Sequence, residues 1–112
     1  MALADTRISR GTFVQIEKIK DSAQKTVMHV AAQKGNAYAI QAMLDKGIAV
    51  DPRTQWKETP LHFAVRNNRL DCVNALLAGG ASTSAETYGG DTPAQVAAKY
   101  KMAKISAVLD GK

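Results

Sequence analysis

The hexad Thr59-Pro60-Leu61-His62-Phe63-Ala64 has a counterpart 33 residues earlier, at Thr26-Val27-Met28-His29-Val30-Ala31, and another 33 residues later, at Thr92-Pro93-Ala94-Gln95-Val96-Ala97. The register holds between these anchors. Gly47-Ile48-Ala49 stands opposite Gly80-Ala81-Ser82, and Ile40-Gln41-Ala42-Met43-Leu44 opposite Val73-Asn74-Ala75-Leu76-Leu77. A unit of this length cannot bury its apolar face alone, so successive units must stack and share one continuous core. The 112 residues are enough for one such domain and too few for two.

Each unit carries its own start and stop signals. Thr before Pro supplies a hydroxyl cap, followed by the one residue that loses nothing from a missing N–H in the first turn, so helices are predicted to begin at Pro60 and Pro93. Leu61, Ala64 and Val65 then recur at helical spacing, and the small Ala admits a neighbouring helix at close range. Gly35 suits the left-handed residue that ends a helix. Second helices are predicted over Tyr38 to Asp45, Leu70 to Ala78 and Ala103 to Asp110, with Gly47 and Gly79-Gly80 ending the first two. Only 5% of residues are aromatic, so the core must come mainly from Ala, Val, Ile, Leu and Met.

A 33-residue period with a T-P-L-H-x-A anchor, matched at every specified position by Thr59 to Ala64, resembles the ankyrin repeat. The resemblance runs from Asp21 to Lys112 and implies an all-α solenoid of about three helix-turn-helix units, over 21–53, 54–86 and 87–112. Both outer units depart from the pattern, with Val27 in place of Pro and with Ala94, Gln95 and Lys101 in place of Leu, His and the first-helix Gly. End units tend to be atypical. Before the repeats, residues 1–20 contain Phe13, Val14, Ile16 and Ile19, and Thr12 to Lys20 is read as a capping helix over the first unit, with a partner-binding arm as the alternative. At the other end, Ile105, Val108 and Leu109 have no following unit to cover them, which would leave an apolar face. A monomer is nevertheless expected, with Lys101, Lys104 and Lys112 keeping that end soluble.

Catalytic chemistry finds no support. His29 and His62 are the only histidines and both belong to the anchor, where the resemblance implies that they tie the preceding loop to the helix start. No Cys, Asp or Glu stands at ligand spacing around either, so no metal site is expected, and no cofactor. The glycine pairs fit neither phosphate-binding pattern. Ser82, Ser84 and Asp91 have no neighbouring histidine, so a hydrolase triad has no basis. The single Cys72 rules out an internal disulfide framework and reads as buried packing. Met1 to Ile8 carries Asp5 and Arg7 where a secretory leader would need an apolar run, and no stretch of 18 apolar residues occurs, so a cytoplasmic protein without a membrane span is expected, or one delivered into a host cell.

Recognition is the remaining function. The resemblance implies a concave surface built from the loop before each first helix and the exposed flank of that helix. In the first unit this gives Ser22, Ala23, Lys25, Gln33 and Lys34; in the second Gln55, Trp56, Glu58, Arg66 and Asn67; and in the third Tyr88, Asp91, Lys99 and Tyr100. The set holds the only Trp and two of the three Tyr. Such side chains dominate binding hot spots, so Trp56, Arg66, Tyr88 and Tyr100 are expected anchors. Lys34, Arg66 and Lys99 are expected to form a basic row, which favours a protein partner with an acidic surface. The partner's surface would be occupied by an inhibitor, an immunity-type neutraliser, an adaptor or an effector. Nucleic-acid binding through the same row is the alternative, although the net charge of +5 is dispersed and Glu58 and Asp91 interrupt the row.

Overall fold

The computed structural model describes residues 24–110, and the expected capping helix at Thr12 to Lys20 lies outside them, as do Ser22 and Ala23. The described residues form six helices and no strands: α1 (Val27–Lys34), α2 (Ala37–Asp45), α3 (Pro60–Arg66), α4 (Leu70–Ala78), α5 (Pro93–Lys99) and α6 (Ala103–Asp110). They pair as α1 with α2, α3 with α4 and α5 with α6. The first helices stack as one row, α1 on α3 on α5, and the second helices as another, α2 on α4 on α6. The predicted second helices hold, with α2 starting one residue early because Asn36 caps it by accepting from the Ala39 N–H at 3.0 Å.

The backbone repeats as strictly as the sequence. All eight described residues with positive φ fall on three repeat positions: Gln24, Lys57 and Gly90; Gly35, Asn68 and Lys101; and Gly47 and Gly80. The turn after each first helix therefore needs the left-handed conformation even where the side chain is Asn or Lys. Glycine is the unstrained choice there, which explains Gly35, and its absence at 68 and 101 leaves the geometry unchanged.

Ala31, Ala64 and Ala97, all buried, let the first-helix row approach closely, while Leu61, Val65, Val73 and Leu76 fill the space between the rows. Cys72 is buried too, with its sulfur 4.0 Å from the Ala31 carbonyl oxygen across the unit boundary. Burial pushes its thiol pKa up, as expected of packing rather than a nucleophile. The expectation of an apolar face at Ile105, Val108 and Leu109 is corrected. Ile105 is 1% exposed, Leu109 is buried and Val108 is half-buried, because these positions of α6 point back towards α4 and not outward.

The anchor histidines explain how one unit fixes the next. The Nδ1 of His62 accepts the Thr59 N–H at 3.1 Å, so Nε2 carries the proton and donates to the Asp91 carbonyl at 2.9 Å. His29 repeats this, accepting from Thr26 N–H at 3.1 Å and reaching the Glu58 carbonyl at 2.7 Å. Each histidine thus ties its helix start to the loop of the following unit, where the preceding loop was expected. Gln95 keeps the first half of the device, with Oε1 accepting from Thr92 N–H at 2.8 Å. No described loop lies ahead of it, and Gln suffices.

Candidate functional site

The loops before α3 and α5 are two copies of one turn. Thr54 N–H donates to the Glu58 carbonyl at 2.9 Å and Lys57 N–H to the Thr54 carbonyl at 2.9 Å, while Thr54 Oγ1 accepts from the Trp56 and Glu58 N–H groups, each at 3.2 Å. In the next loop, Thr87 N–H donates to the Asp91 carbonyl at 3.1 Å and Gly90 N–H to the Thr87 carbonyl at 2.9 Å; Thr87 Oγ1 accepts from Gly89 and Asp91 N–H. A tight turn followed by a left-handed residue, Lys57 or Gly90, produces this hairpin shape. The two hairpins join where Tyr88 N–H donates to the Trp56 carbonyl at 3.1 Å. Their tips hold Trp56, 51% exposed, and Tyr88, 69% exposed. Lys57 lies over the Tyr88 ring, 5.2 Å from its centroid.

Behind the tips, a side chain at the end of each loop meets the flank of the helix that follows. Glu58 takes a hydrogen-bonded ion pair from Arg66 at 2.7 Å, and Asp91 one from Lys99 at 3.1 Å. At the same position in the first unit, Lys25 donates to Gln33 Oε1 at 3.4 Å. Arg66 also lies over the Phe63 ring, 4.9 Å from its centroid. The loop and helix flank are therefore locked together in each unit by a pair eight residues apart.

This geometry corrects the basic row. Arg66 and Lys99 correspond to Gln33 and not to Lys34, and both already hold carboxylates. Lys34 shares its repeat position with Asn67 and Tyr100, at the far ends of the first helices. Asn67 donates to the Phe63 carbonyl at 2.8 Å. Tyr100 borders a cavity with Asn68, Lys101 and Met102, about 10 Å along α5 from the hairpins by the rise of a seven-residue helix. The structure accordingly brings together Gln55, Trp56, Glu58, Arg66, Tyr88, Asp91 and Lys99, and places Lys34, Asn67 and Tyr100 elsewhere. Lys25 and Gln33 continue the loop-flank pairing into the first unit. Sequence reasoning missed Arg53 and Lys57, exposed cations in the same loop as Trp56. The signal was available in the spacing, since Lys57 matches Gly90 and so had to project from a turn.

Burial lowers the pKa of His62 below its ordinary 6.5, which only partly yields to the opposing hydrogen bond with Asp91. The ring is neutral and structural. Among the described residues, no group of three His, Cys, Asp or Glu is placed to hold a metal ion. None of the described helices is long and apolar enough to cross a membrane.

A comparison with family models matches ankyrin repeats, in three copies, over residues 11–87 and 28–109. A search of curated proteins found no match. With the family match spanning most of the sequence and the stacked helix pairs repeating at its period, the chain belongs to the ankyrin-repeat family, whose members are in general protein-protein interaction modules.

Proposed function

We propose that the protein binds a partner protein through the two joined hairpins and the adjoining flanks of α3 and α5, and acts by occupying the partner's surface. Trp56 and Tyr88 are the apolar anchors. Gln55 and the paired Glu58–Arg66 and Asp91–Lys99 groups form the polar surround, with Lys25 and Gln33 extending it. The single observation that carries this reading is the exposure of Trp56 and Tyr88 on tips held by threonine-centred turns and by each other's backbone. Large side chains presented on ordered backbone lose little freedom on binding, so more of their contact energy is retained. Inhibitor, immunity-type neutraliser, adaptor and effector are all compatible with such a surface.

An acidic partner remains the favoured kind, on different grounds from the original row. Arg53 and Lys57 are exposed cations in the same loop as Trp56, with Lys57 lying over the Tyr88 ring, and both add positive charge beside the anchors. The nucleic-acid alternative loses support, because Arg66 and Lys99 would have to give up carboxylates they already hold.

The test is capture of the partner by affinity purification with mass spectrometry, followed by calorimetry with purified components. Trp56→Ala and Tyr88→Ala are each expected to weaken binding about 30-fold, the equivalent of roughly 2 kcal/mol at a hot spot. Tyr38→Ala, altering an exposed aromatic on α2, serves as the control and should bind as wild type. Unchanged affinity for both hairpin variants, with helicity intact, would overturn the assignment.

A further inference from the structure

The edge of the stack opposite the hairpins carries a second set of cations. Here each first helix turns into its second helix, at Gly35, Asn68 and Lys101, one repeat apart. Two cavities open between successive turns. The first, of about 220 Å³, is bordered by Gly35, Asn68 and Arg69 and by Leu70 to Cys72 of α4. The second, of about 460 Å³, lies between Asn68 and the run from Tyr100 to Lys104. Asn68 borders both, so the two form one trough along the edge.

Arg69, Lys101 and Lys104 line this trough, with Lys34 at its end beside Gly35, and Asp71 is the one carboxylate among the lining residues. All four cations are exposed, and none forms an ion pair among the described residues, whereas Arg66 and Lys99 near the hairpins both do. Arg69 is also held in place. Its Nε donates to the Gln33 carbonyl at 3.2 Å, and its stem lies over Gly35, where a Cβ would come within 3.0 Å of Arg69 Cδ. The two terminal nitrogens hold no partner among the described residues. A guanidinium fixed by its stem in this way presents a ready fork to a carboxylate. Between the cavities, the Asn68 side chain makes no hydrogen bond among the described residues and offers an amide donor.

The repeat spacing selects the ligand. Stacked helices lie roughly 10 Å apart, so the two cavities do as well. A peptide in the polyproline II form has three residues per turn and a rise of about 3.1 Å, which puts every third side chain on one face at nearly that interval. We propose that the trough binds an extended acidic peptide of this form. One carboxylate meets Arg69, a second three residues along meets Lys101 and Lys104, and Asn68 donates to a peptide carbonyl between them. Single-stranded nucleic acid fits less well, because bases stack on successive aromatic side chains and the positions that match Tyr100 are Lys34 and Asn67. This inference is independent of the hairpin surface, which lies at the other end of the first helices.

Fluorescence anisotropy with the full chain at low ionic strength tests it, using a labelled peptide with aspartate at every third position and proline between. Wild type is expected to bind this peptide about tenfold more tightly than one of the same composition with its aspartates in a single block. Lys101→Gln combined with Lys104→Gln should weaken binding about tenfold, and Arg69→Gln by a similar factor. Arg53→Gln combined with Lys57→Gln removes the same charge from the hairpin loop and should bind as wild type. Equal losses from the two double variants, or equal affinity for the two peptides, would reduce the binding to net charge and overturn the proposal. Absence of binding by wild type would overturn it too. An oligothymidine that binds more tightly than either peptide, and loses affinity in the Lys101 and Lys104 double variant, would make the occupant a nucleic acid and refute the assignment. Should Arg69→Gln lose its helical signal, the lysine double variant decides alone, since both positions are exposed.

Discussion

Replacing His62 with Gln separates the two tasks that the anchor histidine performs. Gln keeps the contact with the Thr59 N–H, as Gln95 does with Thr92, and removes the ring N–H that reaches Asp91 at 2.9 Å. The Asp91 carbonyl retains the Thr87 N–H, so it is not left unsatisfied. The expected cost is then that of one hydrogen bond, about 1 kcal/mol at neutral pH. His62→Ala removes the cap as well and leaves a void, and should cost roughly 1 kcal/mol more. The pH dependence is the sharper part. Because burial holds the native His62 pKa below 6.5, the unfolded chain takes up a proton first as pH falls. His62 therefore contributes fully above pH 6.5 and progressively less below it. Protonation would put a hydrogen on Nδ1, where it faces the Thr59 N–H, another donor. The stability gap between wild type and His62→Gln should narrow below pH 6.5, by up to about 1.4 kcal/mol per pH unit until the native pKa is reached. Urea unfolding followed by circular dichroism at a series of pH values measures this gap. A gap that stays constant or widens with acid would refute the reasoning.

Three other substitutions probe the frame by the same unfolding assay. Gly35→Ala should destabilise by 1 kcal/mol or more on the order of the left-handed penalty, since φ is +80° and the new Cβ would meet Arg69 Cδ at 3.0 Å, whereas Lys101→Gly, at φ 57°, should stabilise by roughly 0.5 kcal/mol. Ile105→Ala should cost about 2–5 kcal/mol, because the side chain is fully packed behind α4; a change below about 1 kcal/mol would show that α6 is not closed onto the stack. Arg66→Ala should cost less than about 1 kcal/mol despite the 2.7 Å pair with Glu58, since the guanidinium side chain is about a third exposed.

The frame was legible in the sequence because the forces that set it are local and repeated. Thr59-Pro60 and Thr92-Pro93 announce helix starts, and the 33-residue spacing shows that three units must share one core. What was missed depends on how the units sit against each other. Ile105, Val108 and Leu109 read as an exposed apolar face because the direction of stacking is not visible in their spacing, whereas Ile105 and Leu109 are buried against the stack and Ala98 is exposed. The basic row failed on a single residue of register, since Gln33 and not Lys34 matches Arg66. It also failed on distance, since Glu58 and Arg66 lie eight residues apart and meet only when the loop folds back on the helix. Trp56 and Tyr88 were singled out by residue type, but their adjacency rests on a backbone hydrogen bond that side-chain identity does not encode.

The central claim, recognition through the joined hairpins, is tested most directly by site-resolved photo-crosslinking to the captured partner. A crosslinking side chain placed at Trp56 should yield a partner adduct, while the same group at Tyr38, exposed on α2, should yield none. An adduct from position 38 and none from position 56 would move the binding surface off the hairpins and contradict the account.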